Sequence, residues 1–557
     1  MSATLPEALA GLSRTNMPPL TAARQRSWSP AIAPALFGVG LLAQLVALVV
    51  INRPLSEGSS YYVDVARNLA TGRGLVIDAM WSYATPPLTL PRPAFELWQP
   101  VASFVAALPM ALLGPTFAAA QLGFAVLGAL LAPLAWLVAR DATRRLGLPE
   151  RRAAAVTIGA GVLSAISGPL LLAGAAPDST LPFAVAGVSA CLLMPRAIEG
   201  DRRALVALGV VLGLAYLTRM EAVWFGLAFV MGVFVSSRSP RRSIVLGLSV
   251  AAVAALVALP WWARNLATFG TPLPGQLSDN LLLVRNEQIF SYIDRPTLAG
   301  FLAQGAPALL ANVGSAVWHD LVNVLIVPGG PIVALGLLTA ALGLRRRGLR
   351  PLGALQALLG AGALCFAATS VLFPVATLWG TFEHAAGPLV VGLIVAALIG
   401  ADAFVARVRE WRNWPRTNAW LAPAGLAMVG LPLAIVALTG GAASADANAA
   451  RIDQLASTIP AALQRAGVAP GTALISDRPI WLSEALARPA IALPDEPVDA
   501  LTQLAADFGA GAIVVTEPRR DLPAALRSAA AAGCFSELTV PGLPASSAVF
   551  VVKEACR

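Results

Sequence analysis

The stretch LWQPVASFVAALPMALLG, residues 97–114, carries no charge, and whether it crosses a bilayer fixes the side of every later loop. It is short for a span of about 20 residues and contains Gln99, Pro100 and Pro109. If it crosses, Arg140, Arg144, Arg145, Arg151 and Arg152 fall outside. If it lies in the outer interface, all five fall inside, and so does every later basic cluster, as the positive-inside rule requires. The stretch therefore reads as an outer interfacial or re-entrant helix. About 11 spanning helices remain, at 31–52, 116–139, 153–173, 179–195, 204–218, 222–235, 243–263, 319–344, 352–373, 385–406 and 418–440. The N-terminus is then inside and the C-terminus outside.

Composition supports a polytopic α-helical membrane protein. Of 557 residues, 57% are hydrophobic and 12% charged, against about 25% charged in soluble chains. The net charge of +9 is no nucleic-acid signature: Lys553 is the only lysine, and the arginines cluster between apolar runs. Arginine bias and alanine richness suggest a bacterial chain, hence a plasma (inner) membrane, and its partner is the lipid bilayer rather than nucleic acid. Residues 1–30 are polar and lack the early apolar core of a cleaved signal, so a disordered cytoplasmic tail is expected.

Polar and aromatic detail collects on the outer face, in the loops 53–115, 174–178, 219–221, 264–318 and 374–384 and in the tail 441–557. In the tail, TALISD (472–477), GAIVVTE (511–517) and SAVFVVK (547–553) read as buried strands. Helical stretches alternate with them, so a small extracytoplasmic α/β domain with a mainly parallel sheet is expected. No glycine-rich phosphate loop follows its first strand, and nucleotide binding is not expected. Outside the cytosol Cys534 and Cys556 could form a disulfide, whereas Cys191 and Cys365 sit in apolar runs as packing.

The first outer loop begins SEGSSYYVDVARNLATGRG (56–74), with Tyr62, Val65, Ala66 and Leu69 on one helical face. Ser59 or Ser60 could cap this amphipathic helix and Gly72 or Gly74 end it, and it should lie along the outer surface. The proline-rich ATPPLTLPRPAFELWQP (84–100) follows. This order of motifs resembles the polyprenyl-phosphate-sugar-dependent glycosyltransferases of the GT-C superfamily, which include protein O-mannosyltransferases and aminoarabinose transferases. The resemblance continues in GPLLLAGAAPDSTLPFAVAG (168–187), GLAYLTRMEAVWFG (213–226), LPWWARNLATFGTPLP (259–274) and WGTFEHAAGPLVV (379–391), up to about residue 440. One departure matters: the family carries an Asp just before the tyrosines, whereas here Glu57, Gly58, Ser59 and Ser60 stand there. Glu57 is the nearest match to that catalytic carboxylate, with Asp64 and Asp78 in reserve.

The resemblance implies an inverting sugar transfer from a polyprenyl-phosphate donor to an extracytoplasmic acceptor, within a transmembrane domain 31–440 whose loop 53–115 is catalytic. Such chemistry needs a base at the acceptor hydroxyl and cations for the departing phosphate. Glu57 is the candidate base, or else a solvated loop acid. Asp64 is a further catalytic candidate, although a pair with Arg67 is its plainer role. Asp178, in PDST, either caps a helix or matches the family's second outer carboxylate, which orients substrate. Tyr61, Tyr62, Arg67, Arg92, Arg219, Glu221, Arg264 and His384 are the candidate substrate-binding residues. Arg219 and Arg264 suit a lipid phosphate because guanidinium forks match its oxygens, while Arg219 with Glu221 also reads as a simple turn between helices. Trp261 and Trp262 are interface anchors first. No cofactor is expected. A divalent metal between His384 and Asp178 stays open without local ligand spacing, and helix-end hydrogen bonding is the plainer role of His319 and His384. The loop 264–318, with FSYIDRP (290–296), would line or cover the site, and the domain 441–557 would present or select the acceptor. Two other classes remain. One is a non-catalytic relative that binds glycan or lipid-linked sugar; the other is a secondary transporter, to which only PGGP (328–331) points.

Overall fold

Long uncharged runs can satisfy their backbone groups in lipid only as helices, and helices dominate the computed structural model. It describes residues 30–557 apart from 276, 348–352, 415–417, 518–521, 529–530 and 545. The expected tail 1–30 falls almost wholly outside the described residues. Among those residues, eight helices are long and apolar enough to cross a bilayer. A ninth span results if the pair Glu150–Ala165 and Gly168–Ala175, bent by 43°, is taken as one. The chain is thus a multi-pass membrane protein. The two other expected spans are helices too, Arg202–Tyr216 and Ala222–Ser237, but with 15 and 16 residues they are shorter than a full crossing. The polar turn at Thr218–Glu221 cuts their common apolar run. Val101–Leu113 spans 13 residues, about 20 Å at 1.5 Å per residue against about 30 Å of hydrocarbon, as expected of an interfacial helix.

Basic connections gather at one end of the bundle. There Asp141 binds Arg145 and accepts from the backbone N–H of Ala354 at 2.8 Å. Arg152 forks onto Asp402, and Arg242 reaches the Ile198 carbonyl. Small residues let helices approach closely: at Gly213 an added Cβ would stand 2.7 Å from Val257 Cβ and 2.9 Å from the Ala254 carbonyl. The span expected at 319–344 starts earlier, inside a continuous helical run from Gly305, so His319 does not head a span. Residues His319–Ile326 form a π-helical stretch, and PGGP bends the run at Gly330, whose φ of +56° and ψ of −150° suit glycine.

The other end carries the loops and the C-terminal domain. Leu421–Arg465 is one helix of 45 residues that leaves the bundle and enters that domain, so residue 440 marks no break. The described strands are β1 (Val76–Ile77), β2 (Ala79–Met80), β3 (Arg92–Pro93), β4 (Leu474–Ser476), β5 (Ala490–Ala492), β6 (Ala512–Val515), β7 (Phe535–Glu537) and β8 (Ala548–Val552). β1 and β3 pair within the first loop, and the six-stranded sheet has the order β2-β5-β4-β6-β8-β7. The pairs β2–β5, β5–β4 and β4–β6 are parallel, and β6–β8 and β8–β7 antiparallel. The three expected strands are present. The edge strand β2 is an addition from the first loop, with Ala79 opposite Ala490 and Met80 opposite Ile491. Cys534 and Cys556 form a disulfide.

Candidate active site

The first loop folds back under the C-terminal domain. Its helix runs Glu57–Ala70, and the cap is Ser56, whose side chain accepts from the Ser59 N–H at 3.2 Å. Ser59 and Ser60, expected as caps, are instead buried inside the helix. The helix does not lie along the surface either: the Pro479–Leu486 helix of the C-terminal domain covers its polar face. There Glu57 Oε1 accepts from the N–H of Ile480 at 3.1 Å and of Trp481 at 3.4 Å, and Trp481 Nε1 donates to Ser60 Oγ at 2.8 Å. Glu57 Oε2 stands 3.8 Å from Arg478 Nη1. Burial pushes the Glu57 carboxyl up to about 7, against the pull of Arg478 and of the two N–H groups.

Glu57 lines a cavity of about 810 Å³ at the loop end of the bundle, and Tyr62, Asp178, Arg219, Glu221 and His384 line it too. Asp178 sits in the turn after the short helix ending at Ala175; its Oδ1 accepts from the Thr180 N–H at 2.7 Å and its Oδ2 lies 3.4 Å from His384 Nδ1. Burial raises the Asp178 carboxyl, but the His384 ring and Thr180 outweigh it and hold the group below its usual range. The same pairing outweighs burial at His384 and raises the imidazole. Arg219 donates to Ser179 Oγ at 2.9 Å, to Glu221 Oε1 at 2.5 Å and to the Thr381 carbonyl at 3.2 Å, while its Nε has no partner among the described residues. Three segments of chain thus fix one guanidinium. Burial pushes the Tyr62 phenol up, with Arg219 opposing.

Other candidates are placed away from this cavity. Tyr61 is buried among Tyr62, Phe95 and Trp98, and its hydroxyl accepts from the Phe95 N–H at 2.6 Å. Arg92 is fully buried, bound to Glu96 and to the carbonyls of Thr85 and Pro87, where it knits the proline-rich segment together. Asp64 and Glu484 share Arg67 at 2.9 and 2.7 Å, so these residues dock the C-terminal domain. Burial and the Glu484 charge raise the Asp64 carboxyl. Arg264 stacks over Trp261 and Phe269 and is absent from the cavity lining, because the long helix Pro240–Phe269 turns it toward its own aromatic neighbours. Asp78 pairs with Arg73. His319 faces Asp320, whose buried carboxylate accepts from Ser370 and Thr377. Among the described residues no group of three or more His, Cys, Asp or Glu is placed to hold a metal.

Several lining residues were not singled out from the sequence. Trp81, Trp98, Trp224 and Trp379 form aromatic walls, while the loop 264–318, expected to line the site, closes one side with Asn280, Leu281 and Phe290, the first residue of FSYIDRP. Asp477, Arg478 and Glu517 belong to the C-terminal domain and lie just beyond the carboxyl ends of β4 and β6. The signal was available: in parallel sheets ligand sites collect at that edge, and the polar SDRPIW (476–481) directly follows a strand.

Comparison with known proteins places this architecture. A profile of the family "Dolichyl-phosphate-mannose-protein mannosyltransferase" matches residues 92–263. The structure of ArnT from Cupriavidus metallidurans bound to undecaprenyl phosphate is similar over 95% of this chain and 99% of that one, with a TM-score of 0.56 at 17% identity. The apo form of the same protein gives 0.53 over 94% and 98%, also at 17% identity. No curated protein sequence matches significantly. The chain therefore has the ArnT-like GT-C fold along nearly its whole length.

Proposed function

We propose that this protein transfers a sugar from a polyprenyl-phosphate donor to an acceptor hydroxyl on the outer face of the inner membrane, with inversion. The observation that carries this reading is a cavity in which a carboxyl near neutrality, Glu57, shares walls with a fixed guanidinium, Arg219, and a His-paired carboxylate, Asp178. Glu57 would take the acceptor proton as the acceptor oxygen attacks the anomeric carbon. The carbon–oxygen bond to phosphate breaks, and Arg219 receives the charge on the departing polyprenyl phosphate. Asp178 would orient the acceptor or the sugar, and the tryptophan walls suit the apolar faces of sugar rings. The related structure with undecaprenyl phosphate bound supports a lipid-phosphate donor. The mannosyltransferase profile at residues 92–263, together with the likeness in fold to ArnT over nearly the whole chain, favours this reading over the transporter.

The test is transfer by protein reconstituted in liposomes, offered a panel of polyprenyl-phosphate sugars labelled in the sugar, with a membrane extract as acceptor source and with and without divalent metal. Label should move to an acceptor, and Glu57→Gln should abolish the movement while insertion and folding persist. Full turnover in Glu57→Gln would move the base to Asp178, since Asp64 is engaged outside the cavity. Absence of transfer from every donor, with lipid phosphate still bound, would favour the non-catalytic relative.

A further inference from the structure

The C-terminal domain touches the one acid to which the chemistry above is assigned. Glu57 Oε1 is committed to the N–H groups of Ile480 and Trp481. That leaves Oε2 to receive a proton, and the charged group beside it is Arg478 of the C-terminal domain. The turn carrying Arg478 is rigid. Asp477 accepts from the Thr516 N–H at 2.8 Å, the Thr516 hydroxyl at 3.1 Å and the Glu517 N–H at 3.0 Å, and Ser476 Oγ accepts from the Arg478 N–H at 3.1 Å. Its guanidinium, by contrast, is loosely held: 3.8 Å from Glu57, 3.5 Å from Glu517 and 5.5 Å above the Trp481 ring. Trp481 in turn is fixed to Ser60 on the loop helix. A guanidinium on a locked backbone, between two carboxylates and saturated by neither, can follow a change of charge on one of them.

We propose that Arg478 is a positioning residue for Glu57, so that the C-terminal domain is a working part of the catalytic centre and not only a module that selects acceptors. The proposal rests on Glu57 being the base. Arg478 holds the charged form of the carboxylate with Oε2 at the cavity, and swings toward Glu517 once Glu57 carries the acceptor proton. Among the described residues, the other charged groups facing this corner are Asp477, which opposes ionisation of Glu57, and Glu517, whose Oε1 also lies 3.4 Å from Arg451 Nη1. Across the cavity stand Asp178, Arg219, Glu221 and His384.

The experiment uses the full chain in liposomes with Arg478→Gln, Arg478→Lys and Glu57→Gln. Infrared titration follows the protonated-carboxyl band that disappears in Glu57→Gln, and needs no donor. In Arg478→Gln that band should persist about one pH unit higher than in wild type, since an opposite charge near 4 Å favours the ionised form. Arg478→Lys should return most of the shift. The acid limb of the transfer profile should move by the same amount, about tenfold in rate at a fixed pH below it. A folded Arg478→Gln protein whose Glu57 band and acid limb both stay in place overturns the proposal. Turnover in Glu57→Gln would overturn the assignment of the base instead, and the infrared titration would still decide whether Arg478 holds that carboxylate.

Discussion

Arg219→Ala separates two jobs of one side chain. Arg219 and Glu221 are both close to nine-tenths buried, with side-chain exposures of 12% and 10%, so removing the guanidinium strands a buried carboxylate. Breaking one partner of such a pair costs about 3–5 kcal/mol. Arg219 also loses Ser179 and the Thr381 carbonyl, but some solvent reaches the site, which puts the expected loss near the lower end, about 3 kcal/mol. Arg219→Ala with Glu221→Ala removes the stranded charge and should recover about 2 kcal/mol of it. Donor binding should not recover. A phosphate that loses charge-assisted hydrogen bonds worth about 1.5–3 kcal/mol binds about tenfold to a hundredfold more weakly. Thermal unfolding in detergent measures the first effect, and binding of labelled undecaprenyl phosphate to nanodisc-embedded protein the second. A double variant that binds the lipid phosphate as wild type does would refute Arg219 as its ligand. One no more stable than Arg219→Ala would refute the stranded-charge account.

Transfer should rise about tenfold between pH 6 and pH 8, because a base with its carboxyl at about 7 is about one-tenth ionised at the lower value and nine-tenths at the upper; a flat profile across that window would exclude Glu57. Gly58 lines the cavity, and a Cβ there meets nothing nearer than Ser56 Oγ at 3.8 Å. Gly58→Asp in the Glu57→Gln background should therefore fold and restore measurable transfer in the same assay, and a folded but inactive double variant counts against a carboxylate acting from this turn. Asp178 is held low and His384 high by their pairing, so the stability the pair contributes is lost as pH falls through the Asp178 value or rises through the raised His384 value. Thermal midpoints of wild type should decline on the alkaline side of pH 6.5, the ordinary imidazole value, and His384→Gln should lack that decline; equal declines would show that the pair does not control it.

The bundle was legible because a bilayer permits few solutions: apolar length and arginine placement located most of the helical segments, the run from Gly305 being the exception, and the 97–114 stretch is a short helix as its length and prolines suggest. The turn residues Asp178, Arg219, Glu221 and His384 were legible as charges interrupting apolar runs, and they do meet. Pairings distant in sequence were not. β2 is two residues of the first loop, and nothing in the sequence of Ala79–Met80 announces a partner at Ala490–Ile491. Glu57 was legible as a candidate base but not as a buried one, and a solvated loop acid stayed open beside it, because the helix that buries it begins at Pro479. Arg92 looked like a substrate-binding residue and Arg264 like a phosphate ligand because charge type carries no direction, and local packing turned one into a knot of carbonyls and the other onto aromatic rings.

The strand that the first loop lends to the C-terminal sheet bears on how this protein could be taken apart. A fragment cut at the membrane surface would keep β5 but lose the segment that covers its outer edge, leaving open N–H and C=O groups along Ala490–Ala492. Bare edges of this kind recruit strands from neighbouring copies. The C-terminal region is therefore a poor cassette: severed, it tends toward self-association, and grafted onto another protein of this fold it would need the host loop to offer two residues in register. Exchange between relatives would have to carry the loop and the tail together.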